Sequence, residues 1–208
     1  TTTHMGVWQV PLSDQHIILD AGSEPDPRSW PDQKVTLITG SQTADNRFCS
    51  PENDQLNLLA NLANRELNSL IIEADGARSL PIQAPAEHEP VIPPWVITVI
   101  VVVGLGAIGK PLGPEWVHRP EIFSSLTGLS LGQSIRLRDV AALLIHPRGG
   151  LKGIPPGSQK IVLLNQEDLH QLSESEIQEL QSLAFHFDRV LAGSLKADPD
   201  HLKQISPR

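Results

Sequence analysis

Short apolar runs without polar alternation punctuate this chain: residues 35–39 (VTLIT), 70–73 (LIIE), 97–103 (ITVIVVV), 161–164 (IVLL) and 190–192 (VLA). Their β-branched content and the lack of a two-residue period predict strands covered on both faces. Between the first two, in DQLNLLANLANREL, Leu56, Leu59, Leu62 and Leu67 recur at helical spacing, with Asp54 placed to cap the helix. After 161–164, SESEIQELQSLAF predicts a second helix opened by a capping box of Ser173 and Glu176. Strands alternating with helices imply an α/β fold around a mostly parallel sheet. Residues 104–160 differ: they are rich in glycine and proline, with short helical candidates at 120–126 and 137–145. They read as a loop-rich excursion or small subdomain on one edge of the sheet, within a single α/β domain spanning 1–208.

In a parallel α/β sheet, ligands bind beyond the carboxyl ends of the strands. The stretch 70–94, LIIEADGARSLPIQAPAEHEPVIPP, delivers Glu73 and Asp75 to such an end and then enters a long proline-broken loop. A loop of about twenty residues without regular structure usually forms a lid or a binding surface. Glu73 and Asp75 point the same way if the strand continues, and Mg²⁺ prefers one or two carboxylates with phosphate oxygens. The ordinary alternative is that Asp75 and Gly76 form a turn.

Asn165-Gln166-Glu167-Asp168 directly follows the 161–164 run and is similar to the Asn-Lys-x-Asp base-reading motif of GTP-binding proteins, with Gln166 in place of lysine. Asp168 would carry that chemistry, because a carboxylate takes both guanine donors at once, and Asn165 would tie neighbouring loops together. The competing reading is a turn and a helix cap.

Gly104-Leu105-Gly106-Ala107-Ile108-Gly109-Lys110-Pro111 matches GxGxxG and misses GxxxxGK[ST] by one residue. Both phosphate-binding motifs need the glycine turn to run into a helix whose amides face the anion. Pro111, Gly113 and Pro114 break that helix, and Pro111 replaces the hydroxyl that would hold magnesium. The segment is better read as a glycine-rich loop at the edge of a site.

Glu87, His88 and Glu89, with His118 and His146, offer metal-ligand chemistry, but no two histidines have the i, i+4 spacing of a helical zinc motif. Arg78, Lys110, Arg119, Arg148 and Lys152 are spread through the same loops, where they clamp an anion or balance surface charge. No Ser-His-Asp arrangement is evident, and Cys49 has no activating neighbour in sequence.

Composition narrows the classes. With 208 residues and 39% hydrophobic content the chain can bury a core. A formal net charge of −8 without clustered Lys and Arg argues against a nucleic-acid surface and suits a cation. One cysteine excludes an intrachain disulfide, so the expected location is the cytoplasm. No apolar run approaches the roughly 20 residues of a membrane helix, and no signal peptide is expected. The opening Thr1-Thr2-Thr3-His4, with the one methionine at Met5, suggests a processed start or a missing first segment.

The ordered segments TTTH, EADGAR with LPIQAPAEHEPVIP, VGLGAIGKPL, VHRPEIFSSLTGL, HPRGGLKGIPPG and IVLLNQED resemble the YqeC-type accessory proteins of selenium-dependent molybdenum hydroxylases, over essentially the whole chain. The resemblance implies a P-loop NTPase-like three-layer fold, Mg²⁺ with GTP or ATP, and partners among molybdenum hydroxylases or their cofactor-maturation proteins. It also implies a first strand, a Gly-Lys-Thr phosphate loop and its helix ahead of TTTH. By the same resemblance, Thr2 and Thr3 reach phosphate or magnesium, Glu73 stands on the magnesium side, and Asn165 to Asp168 occupy the base-reading position. Asp75 beside Glu73, and Lys110 and Arg78 as anion-binding cations, are candidates from the residues alone, and Pro111 keeps Lys110 from replacing the phosphate-loop lysine. Catalysis in that class rests on the phosphate loop and its lysine. The alternatives are a non-enzymatic binding protein for a partner enzyme or an anionic cofactor and, less favoured, an NAD-dependent oxidoreductase.

Overall fold

The computed structural model describes residues 2–26, 35–66 and 69–205. Two compact units divide the chain, Thr1–Gly76 and Ala77–Arg208.

In the first unit, β1 (Met5–Gly6) pairs antiparallel with β4 (Arg47–Phe48), and β2 (Gln15–Ile18) pairs parallel with β3 (Thr36–Thr39). The expected strand at 35–39 is thus present as β3. The one expected at 70–73 is not: no ladder forms there among the described residues, and Ile71 is 89% exposed. Hydrophobic β-branched residues make a strand only when a neighbouring strand takes up their backbone groups. Helix α1 (Asn53–Arg65) buries Leu56, Leu59 and Ala63, as its period predicts. Its N-cap is Glu52, not Asp54, which lies inside the first turn. The reason is Gln55, whose carboxamide accepts the Glu52 N–H at 2.9 Å and donates to the carbonyls of Asp20 and Ser23 at 2.8 Å each. Leu67 lies outside the described residues.

The second unit is built on a four-stranded sheet of order β10-β9-β8-β6. A short parallel ribbon of β5 (Ile82–Gln83) and β7 (Val117–His118) forms a separate ladder whose Ile82 and Val117 join the same core. Strands β6 (Thr98–Gly104), β8 (Gln159–Asn165) and β9 (Arg189–Ser194) run parallel, while β10 (Asp198–Gln204) is antiparallel to β9. Alternate residues Val162, Leu164, Val190 and Ala192 are buried in a core with Val103, Phe123, Leu144 and Leu180. Coverage on both faces does not hold for β6, where Ile100 is 56% and Val102 55% exposed.

Helices α2 (Pro120–Thr127), α3 (Leu137–Ile145) and α4 (Glu174–Leu180) complete the unit, and α3 packs against both others. The Ser173 and Glu176 capping box forms as expected. Residues 104–160 are more than an excursion: Leu112, Val117, Phe123, Ile135, Leu137 and Val140 from this segment are at most 2% exposed. Its glycines and prolines mark tight turns between core-forming pieces. The fold is mixed α/β with small, mostly parallel sheets. No helix of the described residues is long and apolar enough to cross a membrane.

Candidate functional site

In the first unit, folding brings the chain start onto the acidic segment. The backbone N–H of Thr2 donates to the Glu73 carbonyl at 2.8 Å, and the Thr2 hydroxyl lies 3.4 Å from the same oxygen. Thr2 is 9% exposed, whereas Thr3, Glu73 and Asp75 are half-buried. The Glu73 carboxylate accepts from the Gln9 carboxamide at 3.5 Å, and Gln9 in turn accepts the Gly6 N–H at 3.1 Å. Burial raises the Glu73 pKa above the ordinary glutamate value against the opposing Gln9 hydrogen bond, and the Asp75 charge adds to the rise. A half-buried carboxylate pair of this kind gains from a cation. Asp75 also accepts the Gly76 N–H at 2.9 Å, so the acid and the turn coexist. Gln9 carries no sequence signal, since it belongs to the short 3₁₀ helix Val7–Leu12, VWQVPL, which has no diagnostic pattern.

In the second unit, β6, β8 and β9 end at one edge of the sheet in Gly104, Asn165 and Ser194. Asn165 Oδ1 accepts the Leu195 N–H at 3.0 Å, tying the loop after β9 to the end of β8. Gln166 adopts a left-handed backbone, φ 65°, and its carboxamide oxygen accepts the Gly106 N–H at 3.3 Å. A Cβ on Gly104 would stand 2.3 Å from that oxygen, and one on Gly106 2.9 Å. The glycines therefore admit the Gln166 side chain. Asp168 is exposed on the same loop, and Glu167 is held by Lys203 at 3.1 Å.

After Gly104 the chain makes a 3₁₀ turn, Leu105–Ala107, then passes Gly109 (φ 81°) into a bridge between Pro111 and Ser134. No helix N-terminus follows the glycines, so the geometry for a dinucleotide pyrophosphate is missing there. Lys110 lies over the Trp116 ring at 5.0 Å.

The 76–95 loop is not a free lid. Ile82 is 1% exposed and Ala84 is fully buried. Gly104 donates its N–H to the Pro81 carbonyl at 2.7 Å. Arg119 donates to the Ala84 carbonyl at 3.1 Å and pairs with Glu89 at 2.5 Å, while Lys152 holds the carbonyls of Ala86 and Glu87. Two of the cations expected to clamp an anion thus anchor the loop. Arg78 occupies a turn in which it and Ser79 both have positive φ, 52° and 63°. His88 is 80% exposed at its side chain, and His146 accepts the Arg148 N–H at 3.0 Å. Among the described residues no group of three or more His, Cys, Asp or Glu is arranged to hold a metal ion. Cys49 does have a neighbour that sequence spacing hid: the β1–β4 pairing sets His4 Nε2 at 4.0 Å from its sulfur.

Residues 1–121 match the family described as YqeC protein. A protein of Escherichia coli (strain K12) named "Uncharacterized protein YqeC" is 34% identical over 135 residues, covering 64% of this chain and 53% of that protein. The chain therefore spans about half the length of the curated relative it matches. No solved structure matches the chain.

Proposed function

The chain belongs to the YqeC protein family, and from that premise we propose a nucleotide-dependent accessory protein acting in maturation or insertion of the molybdopterin and selenium cofactor of molybdenum hydroxylases. The observation that carries the nucleotide part is the loop geometry after β8. Asn165 joins two loops at the carboxyl edge of parallel strands while Asp168 stands exposed beside it. Such an edge is where α/β sheets bind ligands. In this reading Asp168 accepts both donors of a guanine, and Asn165 fixes the loop that presents it. Glu73 and Asp75, with the Thr3 hydroxyl, hold Mg²⁺, which neutralises phosphate charge when bound. Thr2 in the first unit, and Lys110 and Arg78 in the second, are separate candidates for contact with phosphate.

Hydrolysis in this class needs a phosphate loop with its lysine, so NTPase activity is assigned to a longer form of the protein that carries one. Residues 165–168 lie outside the family match, which makes their role the part most in need of direct test. Equilibrium titration with GTP and ATP, with and without Mg²⁺, is that test. Magnesium-dependent binding that favours guanine supports the reading, and no affinity for either nucleotide at about millimolar concentration, in this chain and in a form carrying a phosphate loop, sinks it.

A second reading has its own support. The 76–95 loop is anchored by Arg119 and Lys152 yet presents Glu87, His88 and Val91 to solvent. A fixed loop with exposed side chains suits recognition of a partner enzyme or an anionic cofactor. Glu73→Gln separates the two readings: cofactor insertion in cells survives it if the protein only binds, and falls if Glu73 serves magnesium.

A further inference from the structure

The ribbon of β5 and β7 carries a buried donor with nothing to donate to. Gln83 Nε2 is shielded from solvent and has no hydrogen-bond partner among the described residues. A buried N–H left without an acceptor is costly, and native structures keep one where a water, ion or ligand completes it.

What surrounds this donor is specific. Gln83 pairs with His118 in parallel register, so the two side chains stand side by side on one face of the ribbon. Ile82 and Val117, on the opposite face, are at most 1% exposed in the core. His118 is half-buried, and burial, then the charges of Arg119 and Arg78, disfavour its protonation. A neutral imidazole still offers one N–H. Arg119 is consumed by Glu89 and the Ala84 carbonyl, whereas Arg78, whose charge also acts on His118, has no paired carboxylate among the described residues. Backbone strain gathers in the same place: Arg78, Ser79 and Arg119 all have positive φ, between 52° and 66°. A non-glycine residue in this region is strained and persists where the surroundings enforce it.

We propose that Gln83, His118 and Arg78 form a binding site for a tetrahedral oxyanion, inorganic phosphate or a phosphate monoester. A carboxamide N–H, an imidazole N–H and a guanidinium fork come from three separate positions of the chain. Three charged or polar donors suit the several acceptor oxygens and the charge of a phosphate better than the two oxygens of a carboxylate. The Glu89 carboxylate does not repel the anion from this site, because Arg119 compensates it at 2.5 Å. The assignment shares Arg78 with the nucleotide reading but rests on Gln83 and His118, which that reading does not use.

The test follows the His118 ring resonance by NMR, assigned with His118→Gln, during titration with inorganic phosphate, glycerol 3-phosphate and acetate. Expected is saturable movement with either phosphate compound at a dissociation constant of about 1 mM or tighter, and a much weaker response to acetate. Tighter binding of the monoester than of phosphate identifies the organic ester as the source, and the reverse identifies the free ion. Arg78→Ala, at an exposed position, is expected to weaken binding by about tenfold or more. Gln83→Leu is expected to do the same while leaving the thermal midpoint unchanged or higher, because the orphan donor is gone. No saturable movement, an equal response to acetate, or unchanged affinity in both variants overturns the proposal and leaves Gln83 with a bound water.

Discussion

Gln166 and Gly106 are joined across the ends of two neighbouring strands, the left-handed glutamine accepting the glycine N–H at 3.3 Å. The contact exists because Gly104 and Gly106 have no Cβ to displace the carboxamide. It gives the glycine-rich segment a structural purpose that needs no bound phosphate, and it fixes the loop that carries Asp168.

Gly106→Ala tests this contact. The added Cβ would stand 2.9 Å from Gln166 Oε1 and 3.1 Å from Leu169 Cδ1, both side-chain atoms. Overpacking of this kind costs about 1–3 kcal/mol. In a Gln166→Ala background most of that cost disappears, so a denaturant-unfolding cycle shows coupling of about 1 kcal/mol or more. Additive single-mutant effects would contradict the contact.

Arg119→Met should destabilise more severely. It leaves Glu89, whose side chain is 15% exposed, without its cation, and removes the donor to the Ala84 carbonyl. Stranding a largely buried carboxylate costs about 3–5 kcal/mol when burial is complete, and about 2–4 kcal/mol is expected here. Glu89→Gln with Arg119→Met recovers part of the loss, measured by the shift in urea midpoint at constant slope.

Glu73 makes a pH prediction with a definite sign. Its folded carboxyl binds a proton more tightly than the unfolded one, chiefly through burial. Folding therefore takes up protons across the window between the two values, and stability falls as pH rises through it. The window opens near the ordinary glutamate value and closes at the higher folded one; above it the penalty stays constant. Glu73→Gln removes this slope and stabilises the protein at neutral pH. Thermal midpoints that give wild type and variant the same pH slope would contradict the burial account.

How much the sequence revealed depended on whether an element's partners lie close in the chain. Helix α3 was legible because Leu137, Val140, Ala141 and Leu144 make their own apolar stripe. Helix α4 was legible from Ser173 and Glu176, a cap that closes locally. The 70–73 run looked equally certain and forms no strand, since a ladder is a property of two segments. Strand β2, with the mixed sequence QHII, gave no apolar run but pairs in register with β3. At the candidate site, Asn165 was read for the loop-tying role that its bond to Leu195 matches. Gln9 beside Glu73 and His4 beside Cys49 were invisible, because 64 and 45 residues of chain separate the partners. Arg119 and Lys152 were read as clamping an anion or balancing surface charge, since nothing in their spacing reveals backbone carbonyls as acceptors.

Asp168→Asn carries the base-reading claim. The variant exchanges a two-oxygen acceptor for one acceptor and a donor, leaving one guanine N–H opposed. A loss of guanine preference of about tenfold to a hundredfold is expected, with ATP affinity unchanged. Because Asp168 is exposed, stability should stay within about 0.5 kcal/mol of wild type.

The most direct measurement is equilibrium titration of this protein, and of a longer form including whatever coding sequence precedes Thr1, with GTP and ATP in the presence and absence of Mg²⁺. The account predicts saturable, magnesium-dependent binding by the longer form, with guanine favoured and the preference lost in Asp168→Asn. Absence of binding to either nucleotide at about millimolar concentration in both forms would contradict it.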